Sequence, residues 1–150
     1  MCDAAGSTLP NSGRLFAIDW GEKRIGVAIS DSEQTHAHPL TTLTRRKGRR
    51  FPLKQLKSHL DEQAPVGVVF SLPLESSGDE GSTARRARDE GGLVGEKTGL
   101  PIIFLDERMT TARALSAIRD LGGSTVGRKS DVDQLAATVL LQTYLDTRHR

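Results

Sequence analysis

Apolar and polar positions fall into blocks whose period changes along the chain. Residues 15–18 form an unbroken apolar run, which predicts a central strand buried on both faces. Asp19 stands where that run ends, and Gly21 follows with the backbone freedom of a tight turn. A second apolar run over residues 25–29 predicts a strand folding back beside the first. Residues 39–44 are β-prone and bounded by breakers, and predict a third strand of the same antiparallel meander. The period then becomes helical: Leu53, Leu56 and Leu60 recur at helical spacing within residues 51–63, and Pro65 closes that element. Residues 66–70 predict a further buried strand. A polar loop around Gly78 and Gly81 leads into a helix over roughly residues 83–97. Gly91 and Gly92 weaken that helix by ~1 kcal/mol each relative to alanine and mark a candidate break.

Residues 101–105 predict a strand that ends in Asp106 and Glu107. Thr110 or Thr111 then caps a helix whose Ala114, Leu115, Ile118 and Leu121 form an apolar stripe. Residues 122–129 read as a flexible basic loop. The final helix begins near Ser130 or Asp131, with Val132, Leu135, Ala136, Val139, Leu140 and Thr143 as its inward face. Three meander strands followed by alternating strands and helices make an α/β layout with a mixed sheet.

Composition narrows this picture. A length of 150 residues predicts one domain with one core. Residues 1–13 are small and polar, with Pro10, Asn11, Ser12 and Gly13 as breakers, and predict a flexible tail before a domain over 14–150. The single cysteine, Cys2, permits no disulfide within the chain and fits a reducing compartment. Neither a signal peptide nor a membrane helix is expected, which predicts a cytoplasmic protein. A net charge of +2 excludes a global basic field of the histone kind. The cations cluster instead: Arg45, Arg46, Lys47, Arg49 and Arg50 stand within six residues. Such a run is either a solvated connection or a nucleic-acid contact. His36, His38, His59 and His149 show no metal spacing, and Trp20 and Tyr144 read as packing residues before base-stacking ones.

Three acids carry the chemistry. Asp19 ends the first strand, Glu107 follows the strand at 102–105, and Asp133 lies in the predicted first turn of the last helix. In open α/β sheets, ligands bind outside the carboxyl ends of the strands, where these acids would converge. Converging carboxylates raise one another's pKa, and hard cations such as Mg²⁺ or Mn²⁺ relieve the repulsion. Two such ions ~3.5–4 Å apart activate water and stabilise the leaving oxygen of a phosphodiester. Plainer uses stay open: Glu107 can pair with Arg108 or Arg113, and Asp133, three residues after Ser130, can serve the helix start.

Four blocks of the chain resemble a known family. Asp19-Trp20-Gly21-Glu22-Lys23-Arg24-Ile25-Gly26-Val27-Ala28, Ser71-Leu72-Pro73-Leu74 with Gly78, Asp106-Glu107-Arg108-Met109-Thr110-Thr111, and Val132-Asp133-Gln134-Leu135-Ala136-Ala137 look like the signature blocks of the YqgF-type nucleases. These bacterial proteins are assigned to pre-16S rRNA processing and, earlier, to Holliday junction resolution. The resemblance runs from about Leu15 to Asp146. It implies a ribonuclease H-like fold with a mixed five-stranded sheet flanked by helices. It carries a metal-dependent acidic site onto Asp19, Glu107 and Asp133, supported by Asp106, Arg108 and Thr111, with Mg²⁺ or Mn²⁺ as cofactor. The implied function is hydrolytic maturation of the 5′ end of pre-16S rRNA on the ribosomal precursor; the alternative is resolution of branched DNA. Arg24, Arg45, Arg46, Arg49, Arg50, Arg85, Arg86, Arg108 and Lys129 are the expected nucleic-acid contacts, on a monomer or weak dimer. The chain departs from the family pattern at Ser71, where glycine is usual, and at Gly91-Gly92, where the helix is usually bulkier. A length of 150 residues argues against an actin-type ATPase, which needs two lobes, and three intact acids argue against a silent RNA-binding module.

Overall fold

Five strands form in the computed structural model, which describes residues 9–45, 50–75, 77–106 and 129–148, with the backbone course alone for 129–131. They are β1 (Leu15–Asp19), β2 (Arg24–Ser30), β3 (Ala37–Thr44), β4 (Gly67–Leu72) and β5 (Ile102–Asp106). Their order in the sheet is β3-β2-β1-β4-β5. The meander β1-β2-β3 is antiparallel, whereas β4 and β5 run parallel to β1. The expected mixed five-stranded sheet flanked by helices is therefore present. Every residue of β1 and of β4 is buried, because each strand has neighbours on both sides and cover on both faces.

Alternation sorts the side chains into two cores. Phe16, Ile18, Val68, Phe70 and Phe104 face helices α1 (Leu53–Gln63) and α2 (Ser82–Thr98), meeting Leu56, Leu60, Ala84, Ala87 and Val94. Leu15, Ala17, Val69 and Ile103 face the last helix, α3 (Lys129–Arg148), meeting Ala137, Leu140, Leu141 and Leu145. No helix among the described residues is long and apolar enough to cross a membrane.

The structure corrects several expectations. α2 runs unbroken through Gly91-Gly92. A Cβ on Gly91 would sit 2.5 Å from the Phe104 ring, so this glycine admits the strand's aromatic side chain against the helix. β3 starts at Ala37, two residues before the predicted strand, and a register shift opposite Val27 and Ala28 accommodates Pro39 on this edge strand. The inward face of α3 is rotated: Asp133, Ala136, Ala137, Leu140, Leu141 and Leu145 are buried, and Leu135 is half exposed. Of the tail expected through Gly13, the structure describes residues 9–13. Leu9 is buried in the α3-side core, and Arg148 and Gln34 hold the Pro10 carbonyl. Residues 1–8, the predicted helix with Thr111 and the stripe from Ala114 to Leu121, and the loop over 122–128 lie outside the described residues.

Candidate functional site

β1 delivers Asp19 to the carboxyl end of the sheet centre, and the carboxylate is fully buried. Leu15 and Ala17 belong to the α3-side core, while Phe16, Ile18 and Trp20 belong to the other. Asp19 therefore points toward α3. Its cross-strand partner on β2 is Gly26. A Cβ on Gly26 would lie 2.0 Å from the Asp133 backbone oxygen. The missing side chain thus lets the second turn of α3 settle onto the sheet beside Asp19.

Asp133 is also fully buried, and its Oδ2 accepts a 2.8 Å hydrogen bond from Arg24 Nε. Arg24 lies two residues before Gly26, hence on the same face of β2. Because α3 begins at Lys129, Asp133 is one turn inside the helix and paired with a strand residue. That removes the helix-start role for it. Asp19, Asp133 and Arg24 share one edge and one face. Asp106 closes β5 and is buried, but alternation after Leu105 turns it toward α2.

Ser71 occupies the next strand position beside Asp19. The β1–β4 register ends at Ile18 and Phe70, and the buried Ser71 hydroxyl accepts the next backbone N–H, that of Trp20, at 2.7 Å. The departure from glycine thus supplies a tie on the strand exit that carries Asp19.

The expected cations separate into groups. Arg24 is paired with Asp133 and only partly exposed. Arg45 turns inward. It is buried, its Nη1 lies 2.9 Å from Glu90 Oε2, and its Nε donates to the Gly21 carbonyl at 2.9 Å. Arg50 and Arg85 are exposed. Arg86 is half exposed, stacks on Trp20 and approaches Glu22 at 3.3 Å. Arg85 and Arg86 stand in the first turns of α2, which leaves β4 at the same sheet edge as Asp19. Glu107, Arg108, Thr111, Arg46 and Arg49 lie outside the described residues, as does the side chain of Lys129.

Among the described residues no three metal-ligating side chains gather. The described donor set is the carboxylate pair Asp19 and Asp133, hard oxygen donors of the kind divalent cations accept. A cavity of about 490 Å³ lies elsewhere, along α1 and beside the C-terminal end of α2, and is lined by Lys54, Lys57, Leu60, Asp61 and Lys97. α1 and α2 cover the sheet face opposite α3, so that cavity lies away from the face Asp19 occupies.

Two contributors to this edge were hidden or half-hidden in the sequence. A glycine inside an apolar strand signals close backbone approach, so Gly26 had a readable signal. The Arg45–Glu90 pairing, across 45 residues, had none.

The model of the RuvX family, described as Holliday junction resolvase, matches residues 13–147. A Nitrosospira multiformis protein named "Putative pre-16S rRNA nuclease" is 37% identical over 149 residues, covering 99% of this chain and 98% of its own length. A protein of the same name from Lactococcus lactis is 37% identical over 134 residues, covering 89% of this chain and 94% of its own length. Among solved structures, Thermus thermophilus RuvC in complex with Holliday junction substrate superposes with a TM-score of 0.56 at 15% identity, covering 91% of this chain and 96% of that one. This likeness gives the fold, which is ribonuclease H-like.

Proposed function

The chain belongs to the RuvX family, and from that premise we propose that it is a metal-dependent endonuclease trimming the 5′ end of pre-16S rRNA in the cytoplasm. The observation that carries the reading is the close approach at Gly26, which sets two fully buried carboxylates, Asp19 and Asp133, at the end of the central strand. End-to-end similarity to a relative named for pre-16S rRNA supports RNA as substrate.

Asp19, Glu107 and Asp133 would hold Mg²⁺ or Mn²⁺. When bound, such an ion supplies an activated water and charge stabilisation at the phosphodiester. The chain's own residues do the rest. Asp19 is rigid because its strand is hydrogen-bonded on both sides and tied by Ser71 at its exit. Arg24 orients Asp133 through its 2.8 Å hydrogen bond and offsets part of the negative charge brought together. Arg50, Arg85 and Arg86, with Arg46, Arg49, Arg108 and Lys129, would hold the phosphate backbone, which supplies affinity without reading sequence. A monomer or weak dimer suffices for a single cut.

The family model's own description supports a second reading, resolution of four-way DNA, which needs two symmetric cuts and hence a stable dimer. One assay separates the two. Purified protein is given a precursor RNA carrying the unprocessed 5′ end, or a four-way DNA junction, in Mn²⁺ or in chelator. Cleavage of the RNA alone, and only with metal, is expected. Cleavage of the junction alone would replace the RNA reading with the second one, and cleavage in chelator would remove the metal.

A further inference from the structure

The residue after Asp19 is held more tightly than packing requires. Trp20 is buried, its backbone N–H is bound by Ser71, and its indole Nε1 donates to Glu90 Oε1 at 2.6 Å. The Arg45 and Arg86 guanidinium carbons lie 5.3 and 5.4 Å from the ring centroid. At 4% exposure the ring is closed to a nucleobase. Glu90 also receives both terminal nitrogens of Arg45, at 2.9 and 2.5 Å. Arg45 spans further, with Nε on the Gly21 carbonyl and its own backbone N–H on the Lys23 carbonyl. One ion pair therefore gathers the exit of β1, the turn into β2, the end of β3 and the middle of α2.

We propose that Arg45 and Glu90 are positioning residues that aim the Asp19 carboxylate, acting through Trp20 and the Gly21 turn. The inference rests on the metal reading of Asp19 given above. Asp19 and Trp20 project from opposite faces of the same strand end, so a clamp on Trp20 fixes the rotation of that end and with it the direction of Asp19. Arg45 opens the basic run at 45–50 and joins its root to the same clamp. A bidentate guanidinium suits this role, because lysine cannot reach Gly21 and Glu90 together. Supporting partners of metal ligands commonly change metal affinity by ~10–100-fold when lost.

Trp20 is the only tryptophan of the chain, which gives a direct reporter beside Asp19. Mn²⁺ is titrated into the full-length protein while tryptophan emission is followed, for wild type, Asp19→Asn, Glu90→Gln and Arg45→Lys. Saturable quenching is expected in wild type and not in Asp19→Asn. In Glu90→Gln and in Arg45→Lys the half-saturating Mn²⁺ should rise about tenfold, while RNA affinity in chelator stays at the wild-type value. A wild-type midpoint in Glu90→Gln overturns the proposal and leaves the pair a purely structural one. A wild-type midpoint in Arg45→Lys overturns it too, since charge alone would then suffice. Weaker RNA binding with an unmoved midpoint returns Arg45 to the phosphate contacts. Absence of quenching in wild type instead defeats the metal reading of Asp19, and this inference with it.

Discussion

Gly26 decides how near α3 comes to Asp19. Its absent Cβ would stand 2.0 Å from backbone that cannot swing aside, unlike the tip of a flexible side chain. Gly26→Ala is expected to cost ~1–3 kcal/mol in urea unfolding as helix and strand are forced apart, and to lower cleavage as well. Wild-type stability in that variant would show that α3 is not seated as described. A second residue, Asp31, sets an acid limit. Thr35 Oγ1 donates to it at 2.6 Å, and the Thr35 and His36 backbone N–H groups donate to its other oxygen. These bonds, the Thr35 hydroxyl first, lower its pKa from 3.8 to about 2. A carboxylate lowered on folding adds stability above its unfolded pKa and loses it as pH falls through its folded pKa. The Tm gap between wild type and Asp31→Asn should therefore be steady above about pH 5 and shrink toward pH 2, by a modest amount because the group is partly exposed. A gap that does not change with pH would place Asp31 outside the acid response.

At the scale of elements, two adjacent glycines in α2 separate local propensity from packing. Gly92 faces open space, so Gly92→Ala should stabilise by ~0.5–1 kcal/mol through helix propensity. Gly91→Ala gains the same propensity but drives a methyl to 2.5 Å from the Phe104 ring, and should lower the melting temperature. Equal shifts in the two variants would deny the contact. The same pair shows what the sequence could express. The positions of the strands and of α1, α2 and α3 followed from period and breakers, because apolar runs and leucine spacing are local signals. The continuity of α2 was not local: it depends on an aromatic side chain of β5, which propensity alone does not include. The face of α3 was equally hidden. Val132, Leu135, Val139 and Leu140 offer one apolar stripe, and Ala136, Ala137, Leu140, Leu141 and Leu145 offer another. Only the seat of Asp133 against Gly26 chooses between them. Asp19 was legible because an acid at the end of a buried run is costly without a purpose. The Arg45–Glu90 pair was not, since a basic run in sequence does not say which of its members turns inward.

For the whole molecule, the first described residues are tied to the last helix. Arg148 donates to the Leu9 and Pro10 carbonyls at 2.6 and 2.9 Å, to Asn11 Oδ1 at 2.6 Å and to Gln34 Oε1 at 2.7 Å. Arg148→Ala should cost about 2 kcal/mol, because acceptors are left over at a partly buried seam, and should leave cleavage per folded molecule unchanged. A loss of activity without a loss of stability would place Arg148 in substrate binding instead. The proposed function separates chemistry from affinity: buried carboxylates would do the first, and exposed cations would supply the second. Asp19→Asn removes a proposed metal ligand and no cation. Cleavage of precursor RNA in Mn²⁺, measured beside RNA binding on the same preparations, tests that division most directly. The expected result is a variant that binds RNA as wild type does and does not cut it. An Asp19→Asn protein that cuts at the wild-type rate would contradict the account.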